Sequence, residues 1–336
     1  MGSHRRLATS GFDRGASVAV GFLSVAAATL GAVPVDAAPY DDTRAKVDRL
    51  YEQAEKATEA YNAADERADE LRAEVGTARD RVARQQQRIN SLRESLGSLA
   101  GAQYRSGGID PSLALLLSDD PGDYLDHASR LDRLTAHQAG ELRELQDAMR
   151  ELAQDREEAA GKLRELERSR KAVAAHKKTV ERKLATARRL LDSLPDDERD
   201  AYGRASRSGR DGMAGLDGAA ASGRGSAAVA AARSALGKPY VWGANGPSGF
   251  DCSGLMQWSY AQAGVALPRT SQAQRHAGRQ VPLSEARPGD LVVYRGDASH
   301  VGMYMGNGQV IHAPYPGAPV RYDPVGMMPV SSVTRV

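Results

Sequence analysis

The chain is almost without cysteine. Cys252 is the only one in 336 residues, which excludes any intramolecular disulfide as a source of stability. Aromatic residues are scarce as well, at 5%. Beyond the first forty residues both tryptophans (Trp242, Trp258) and the one remaining phenylalanine (Phe250) fall in the last third. The middle of the chain is built from Ala, Leu, Glu, Arg and Lys, a composition that makes long helices but gives no bulky residues for a globular interior. Charge of one sign is also missing. Acidic and basic residues interleave to a net charge of +2, so electrostatics point to neither nucleic acid nor an acidic substrate.

A long apolar run occurs once, near the start. His4, Arg5, Arg6 and Arg14 carry positive charge, residues 16–33 carry none, and Val35 with Ala37 fits a small-x-small cleavage pattern. Residues 1–37 therefore read as an export signal, with a retained membrane anchor as the alternative. The expected location is extracytoplasmic, in or near the cell wall. An exported protein ordinarily uses cysteines in pairs, so a lone one is either an accident or a reactive thiol.

From Leu50 to Leu99 apolar positions alternate four and three residues apart, through Ala54, Ala57, Tyr61, Ala64, Ala68, Leu71, Val75, Ala78, Val82, Ile89, Leu92 and Leu96; only Gln85 breaks the series. A second series runs from Leu142 through Leu145, Met149, Leu152, Ala159, Leu163 and Leu166 to Leu191, broken by Arg156, Arg170 and Lys177. A sustained 3.5-residue repeat with charged outer faces predicts a coiled coil. The many alanines of the first arm leave room for a close partner. This predicts an antiparallel hairpin over 41–194, each arm about 90 to 100 Å long; an intermolecular coiled coil is the rival arrangement. Gly and Pro interrupt the repeat in a tip at about 101–124, where Leu113, Leu115, Leu116 and Leu117 form an apolar cluster suited to docking a partner or to capping the arms. Residues 195–225, rich in Gly, Ser, Ala and Arg, read as a flexible linker. Residues 226–336 are left as an independent domain.

The chemistry lies in that last domain. In DCSGLMQWSYAQAG the apolar residues have helical spacing, which puts Cys252 in the first turn of a helix. There the unpaired N–H groups and the positive dipole end favour a thiolate, the nucleophilic form. A thiolate cutting an acyl bond needs a proton carrier. His4 falls in the signal, His127, His137 and His176 in the arms, and His276 in a polar helical stretch, which leaves His300 and His312. They bracket two strand-like runs joined by Gly306, Asn307 and Gly308, a strong hairpin signal. On opposite arms of a hairpin they can face one side, and with Cys252 would supply nucleophile, base and orienting group. Zinc ligation by the same three is the competing reading, but neither a CxxC nor an HExxH pattern accompanies them.

PYVWGANGPSGFDCSGL, LPRTSQ, RPGDLVVY and SHVGMYMGNGQVIHAP, in this order, resemble the NlpC/p60 cell-wall peptidases, papain-like cysteine enzymes that cut peptidoglycan stem peptides. The resemblance implies an α+β fold for 226–336, preceded by the coiled-coil hairpin. It implies Cys252 as nucleophile, His300 as general base and His312 as third polar member. It also implies Tyr240 beside the thiol, helping the Cys252 N–H to bind the oxyanion, and Asp251, Ser253 and Ser299 along the substrate cleft. No cofactor is implied, and the bond implied is that between the γ-carboxyl of D-glutamate and the diamino acid. The front part is similar to the coiled-coil segments of exported actinobacterial hydrolases, which implies a docking partner at the tip related to the membrane division complex FtsEX. The long arms followed by a linker further predict that the hairpin restrains the peptidase. A papain-like amidase or acyltransferase, and a scaffold whose working part is the coiled coil, stay open as alternatives.

Overall fold

The structure, a computed structural model, describes residues 40–105, 113, 121–205 and 223–336. The expected export signal, most of the hairpin tip with its leucines at 115–117, and residues 206–222 lie outside them. None of the described helices is long and apolar enough to cross a membrane.

Helix α1 (Asp41–Arg105) and helix α2 (Pro121–Asp192) are 65 and 72 residues long, each about 100 Å from end to end. They run antiparallel. Arg88 Nη2 donates to Glu144 at 2.7 Å, Arg67 meets Glu165 at 3.4 Å, and the Ser169 hydroxyl donates to the carbonyl of Ala64 at 2.8 Å, so partner numbers fall as α1 numbers rise. The α1 seam is the one read from the repeat, with Ala54, Ala68, Leu71, Val75, Ala78 and Ile89 buried.

On α2 the repeat is only half right. Leu145, Leu152, Ala159, Leu166 and Val180 turn inward or partly inward, but Leu142, Met149 and Leu163 are exposed. One position earlier in sequence, Ala148, Asp155, Lys162 and Ser169 turn inward in place of Met149, Arg156, Leu163 and Arg170. The substitution follows from what α1 offers opposite: Glu74 for Lys162, Arg81 for Asp155 at 3.8 Å, and a backbone carbonyl for Ser169. Polar side chains that can pair across a narrow, alanine-rich seam displace apolar ones that would overfill it.

Within the stretch read as linker, residues Asp196–Ala205 form a helix, α3. It returns to the base of the hairpin, where Glu198 pairs with Arg44 and the Tyr202 hydroxyl donates to Asp48 at 2.7 Å.

The C-terminal part opens with α4 (Gly223–Ser234) and α5 (Cys252–Gln262), followed by the short α6 (Ser271–Gln274). Six strands follow: β1 (Arg279–Val281), β2 (Leu291–Tyr294), β3 (His300–Gly306), β4 (Gln309–His312), β5 (Arg321–Pro324) and β6 (Val330–Arg335). They form one antiparallel sheet in the order β1-β6-β2-β3-β4-β5. Helices α4 and α5 cover one face, burying Ala228, Ala232, Leu255, Met256 and Tyr260 against Leu291, Val293, Val301, Met303 and Ile311. Helices segregated to one side of an antiparallel sheet make this an α+β domain.

Candidate active site

Cys252 is the first residue of α5, and Asp251 caps that helix, its Oδ1 accepting the Gly254 N–H at 2.6 Å. The glycine is required by space. A Cβ on Gly254 would lie 2.2 Å from the carbonyl oxygen of Ala244, which accepts from the Asp251 N–H. The run Asp-Cys-Ser-Gly thus fixes a helix start with the thiol on its inner face, 1% exposed. Its sulfur receives the backbone N–H of Val301, the residue after His300. Thiol and histidine are thereby held by adjacent points of β3.

The two histidines sit on one face of the β3–β4 hairpin. Asn307 and Gly308 both take positive φ (52° and 69°), the type I′ geometry that matches strand twist. The register puts Gly302 across from His312; a Cβ there would approach the His312 Cβ to 3.2 Å, so glycine leaves the ring room to reach His300. His300 Nε2 and His312 Nδ1 are 2.8 Å apart, and His312 Nε2 is 2.8 Å from Asp323 Oδ2, which also accepts from Arg321 Nε at 2.8 Å. Burial lowers the His312 pKa to about 4, even against the pull of the Asp323 carboxylate. His312 is therefore neutral, donating from Nε2 to Asp323 and accepting at Nδ1 from the Nε2–H of His300. That tautomer leaves Nδ1 of His300 as the nitrogen facing the cleft. Asp323 completes the relay and was not picked out from sequence, because PYPGAPVRYDP carries turn residues but no alternation that marks β5.

The remaining expected cleft residues are all buried. Burial, followed by charge at Cys252, pushes the Tyr240 hydroxyl well above its ordinary pKa. Ser253 donates to Glu59 at 2.8 Å and accepts from Arg269 at 2.9 Å. The Ser299 hydroxyl accepts from Arg295 at 3.2 Å, and its backbone N–H binds Asp297 at 3.2 Å. Asp251 is gripped by Arg269 through both oxygens, at 3.0 and 2.5 Å.

The cleft is filled by α1. Glu55, Thr58, Glu59 and Asn62, spaced as one helical stripe, are each 3% exposed or less. Glu55 Oε1 lies 3.0 Å from His300 Nδ1, and its Oε2 accepts from Arg295 at 2.7 Å. Glu59 Oε1 accepts from Ser253 and faces the Cys252 thiol at 3.7 Å, while Oε2 accepts the Ser271 N–H at 2.7 Å. Asn62 donates to Asp251 at 3.1 Å. Around this plug Tyr51 stacks on Tyr315 (4.8 Å between ring centroids), Tyr61 meets Trp242 edge-on at 5.2 Å, and Lys56 pairs with Asp297 at 3.0 Å.

The plug changes the protonation of the site. Burial, then the carboxylates of Glu59, Asp251 and Glu55, drive the Cys252 thiol well above its ordinary pKa, outweighing the Val301 N–H. The ionised thiol expected at a helix start is thus suppressed while α1 is in place. Burial and the Asp251 charge raise Glu59 to about 7. Burial also raises Glu55, but the charges of His300 and Arg295 outweigh it and leave that carboxyl below its ordinary value.

A buried thiol at a helix start, a histidine ordered by a second histidine and a carboxylate, and an α+β fold with the helix laid on the sheet define a papain-like cysteine peptidase. The sequence matches the NlpC/P60 family over residues 237–333. It is 34% identical over 361 aligned positions to probable endopeptidase Rv2190c of Mycobacterium tuberculosis, covering 91% of this chain and 93% of that one. It is 50% identical over 97 residues to probable endopeptidase p60 of Listeria monocytogenes, covering 28% of this chain and 20% of that one. Among solved structures, that of Rv1477, a hypothetical invasion protein of M. tuberculosis, is 37% identical over 33% of this chain and 61% of that one, with a TM-score of 0.32. The chain belongs to the NlpC/P60 family, and with it to the cysteine endopeptidases that hydrolyse peptidoglycan.

Proposed function

We propose that the protein is an exported peptidoglycan endopeptidase that cleaves the bond between the D-glutamate γ-carboxyl and the diamino acid of stem peptides, and that α1 holds it closed. The relay Asp323–His312–His300, ending on a cleft-facing Nδ1, carries the catalytic reading. With α1 withdrawn, Nδ1 takes the Cys252 proton and the thiolate attacks the amide carbonyl. The Cys252 N–H and the Tyr240 hydroxyl receive the oxyanion, and His300 protonates the leaving amine. Water then releases the acyl group by the reverse path. His312 and Asp323 orient the base, so His312→Ala is expected to cost less than His300→Ala, and Cys252→Ala to remove essentially all hydrolysis. Mass spectrometry of digested muropeptides tests this: new amines on the diamino acid support the endopeptidase, free lactoyl groups an amidase, and undiminished digestion by Cys252→Ala overturns the mechanism.

Closure is supported by the Glu55 and Glu59 carboxylates lying where substrate must enter. It calls for a release signal, and a membrane complex of the FtsEX type engaging the hairpin tip fits that need. Loss of binding in Leu116→Glu would support such docking; unchanged binding would favour leucines that cap the arms.

A further inference from the structure

Four arginines of the catalytic part are largely buried, with side chains between 11% and 21% exposed: Arg269, Arg295, Arg321 and Arg335. Three are neutralised from within that part, Arg269 by Asp251, Arg321 by Asp323 and Arg335 by Asp290. Arg295 differs. Among the described residues the carboxylate bonded to it belongs to Glu55 of α1, and its partner inside the catalytic part is the Ser299 hydroxyl. Once α1 leaves, a guanidinium faces the cleft with no carboxylate of its own. A guanidinium lining an open cleft with no carboxylate of its own is placed to take an anionic group of the substrate in a charge-assisted contact. Its backbone is also held in an unfavourable conformation, with φ of 64° at a non-glycine residue, just where the pairing of β2 with β6 shifts register, and its N–H is tied to the Pro329 carbonyl at 2.8 Å. Such strain marks a side chain that is aimed rather than accommodated.

The side of the cleft follows from Glu55. One carboxylate bridges His300 Nδ1 and Arg295 Nη1. His300 Nδ1 is the atom that hands a proton to the leaving amine, so whatever is attached to that amine extends toward Arg295. In an amino acid a single carbon separates the amine from the carboxyl group, a span comparable with that between the two oxygens of one carboxylate. We propose that Arg295 is a specificity-determining residue that binds the α-carboxylate of the residue whose amine leaves, so that the enzyme prefers stems in which this carboxylate is free. The proposal rests on the γ-D-glutamyl reading of the cleaved bond. On it, Glu55 closes the enzyme by occupying the place of that carboxylate.

The test uses the full chain with the plug disabled by Glu55→Ala and Glu59→Ala, and two peptides, L-alanyl-γ-D-glutamyl-meso-diaminopimelate and its α-carboxamide on the diamino acid. Expected is faster cleavage of the free acid, and a loss of roughly 30-fold in kcat/KM on adding Arg295→Gln for the acid but under about threefold for the amide, as a charge-assisted contact removed from one substrate alone would give. Equal loss on both peptides, or none, overturns the proposal. Cleavage of neither by the Arg295-bearing chain counts against the γ-D-glutamyl reading. Arg295 is then judged on binding of free meso-diaminopimelate to the plug-disabled Cys252→Ala chain by saturation-transfer NMR, which should be seen with Arg295 and lost with Gln; no binding with Arg295 present overturns it as well.

Discussion

Helix α1 buries two quite different surfaces along one continuous cylinder. Between Ala68 and Ile89 it buries Leu71, Val75 and Ala78 against α2. Between Glu55 and Asn62 it buries Glu55, Thr58, Glu59 and Asn62 against the catalytic cleft. The first surface gains from removing apolar area from water, and nothing in it needs to separate again. The second sets the desolvation of two carboxylates against paired hydrogen bonds, a balance close to neutral and so easily tipped. On the reading proposed above, the same helix then carries a permanent joint and a releasable one, written with different chemistry.

The comparison is broken most severely on the apolar side. Leu71→Ala empties a site packed by Ala68, Val75 and Leu166 and should cost about 2–5 kcal/mol, read as a lowered melting temperature of the hairpin helices by circular dichroism. On the polar side the ranking of effects reverses. Glu55→Ala with Glu59→Ala should leave hairpin melting nearly unchanged yet raise muropeptide release by the full chain roughly 10- to 100-fold, the equivalent of losing one or two charge-assisted contacts. If the double variant melted early without gaining activity, the stripe would belong to the scaffold and not to a releasable lock.

A smaller effect sharpens the polar side by pH. Glu59 faces Asp251, Ser253, Ser271 and the Cys252 thiol, with Arg269 near. Its pKa is raised from 4.5 to about 7 in the closed form. A raised value means that closure is fully favoured while the carboxyl is protonated and loses that contribution as pH climbs through about 7. Glu55, shifted the other way, keeps its contribution above its ordinary value of 4.5, and His312 with a pKa of about 4 is neutral across the same window. Activity of the full chain relative to Glu59→Gln, a neutral stand-in for the protonated acid, should therefore rise several-fold from about pH 5 to about pH 8. A flat ratio would show that Glu59 does not titrate in the lock.

How much of this was visible in the sequence depends on whether a residue announces itself locally. Cys252 did, because the helical spacing of Leu255, Met256, Trp258 and Ala261 puts it in a first turn, which the structure shows capped by Asp251. His300 and His312 did, because Gly306, Asn307 and Gly308 allow only a tight hairpin. Arg269 lies inside LPRTSQ and Arg295 one residue beyond RPGDLVVY, but nothing local shows which cation will lack an internal counter-ion. Glu55 and Glu59 were hidden for a deeper reason. A charged residue beside a heptad seam is indistinguishable from a solvated face until something covers it. The available signal was weak: Glu55, Thr58, Glu59 and Asn62 share one helical stripe, and Ala63 stands where a lysine or arginine four residues after Glu59 would have balanced it.

The smallest effect addresses the part of the hairpin where periodicity misled. Leu142, Met149 and Leu163 fit the repeat as well as their buried neighbours do, and yet are 49%, 47% and 41% exposed. A 3.5-residue pattern cannot choose between two frames that share a row, here the row of Leu145, Leu152, Ala159 and Leu166. The choice fell to cross-helix partners, Glu74 for Lys162 and the Ala64 carbonyl for Ser169. Met149→Lys should then change stability by less than about 0.5 kcal/mol. In the frame that the repeat alone suggests, the same change would bury a charge in the seam and cost several times more. Chemical denaturation of the two proteins distinguishes the frames, and a large loss would mean that α2 turns its other apolar row toward α1.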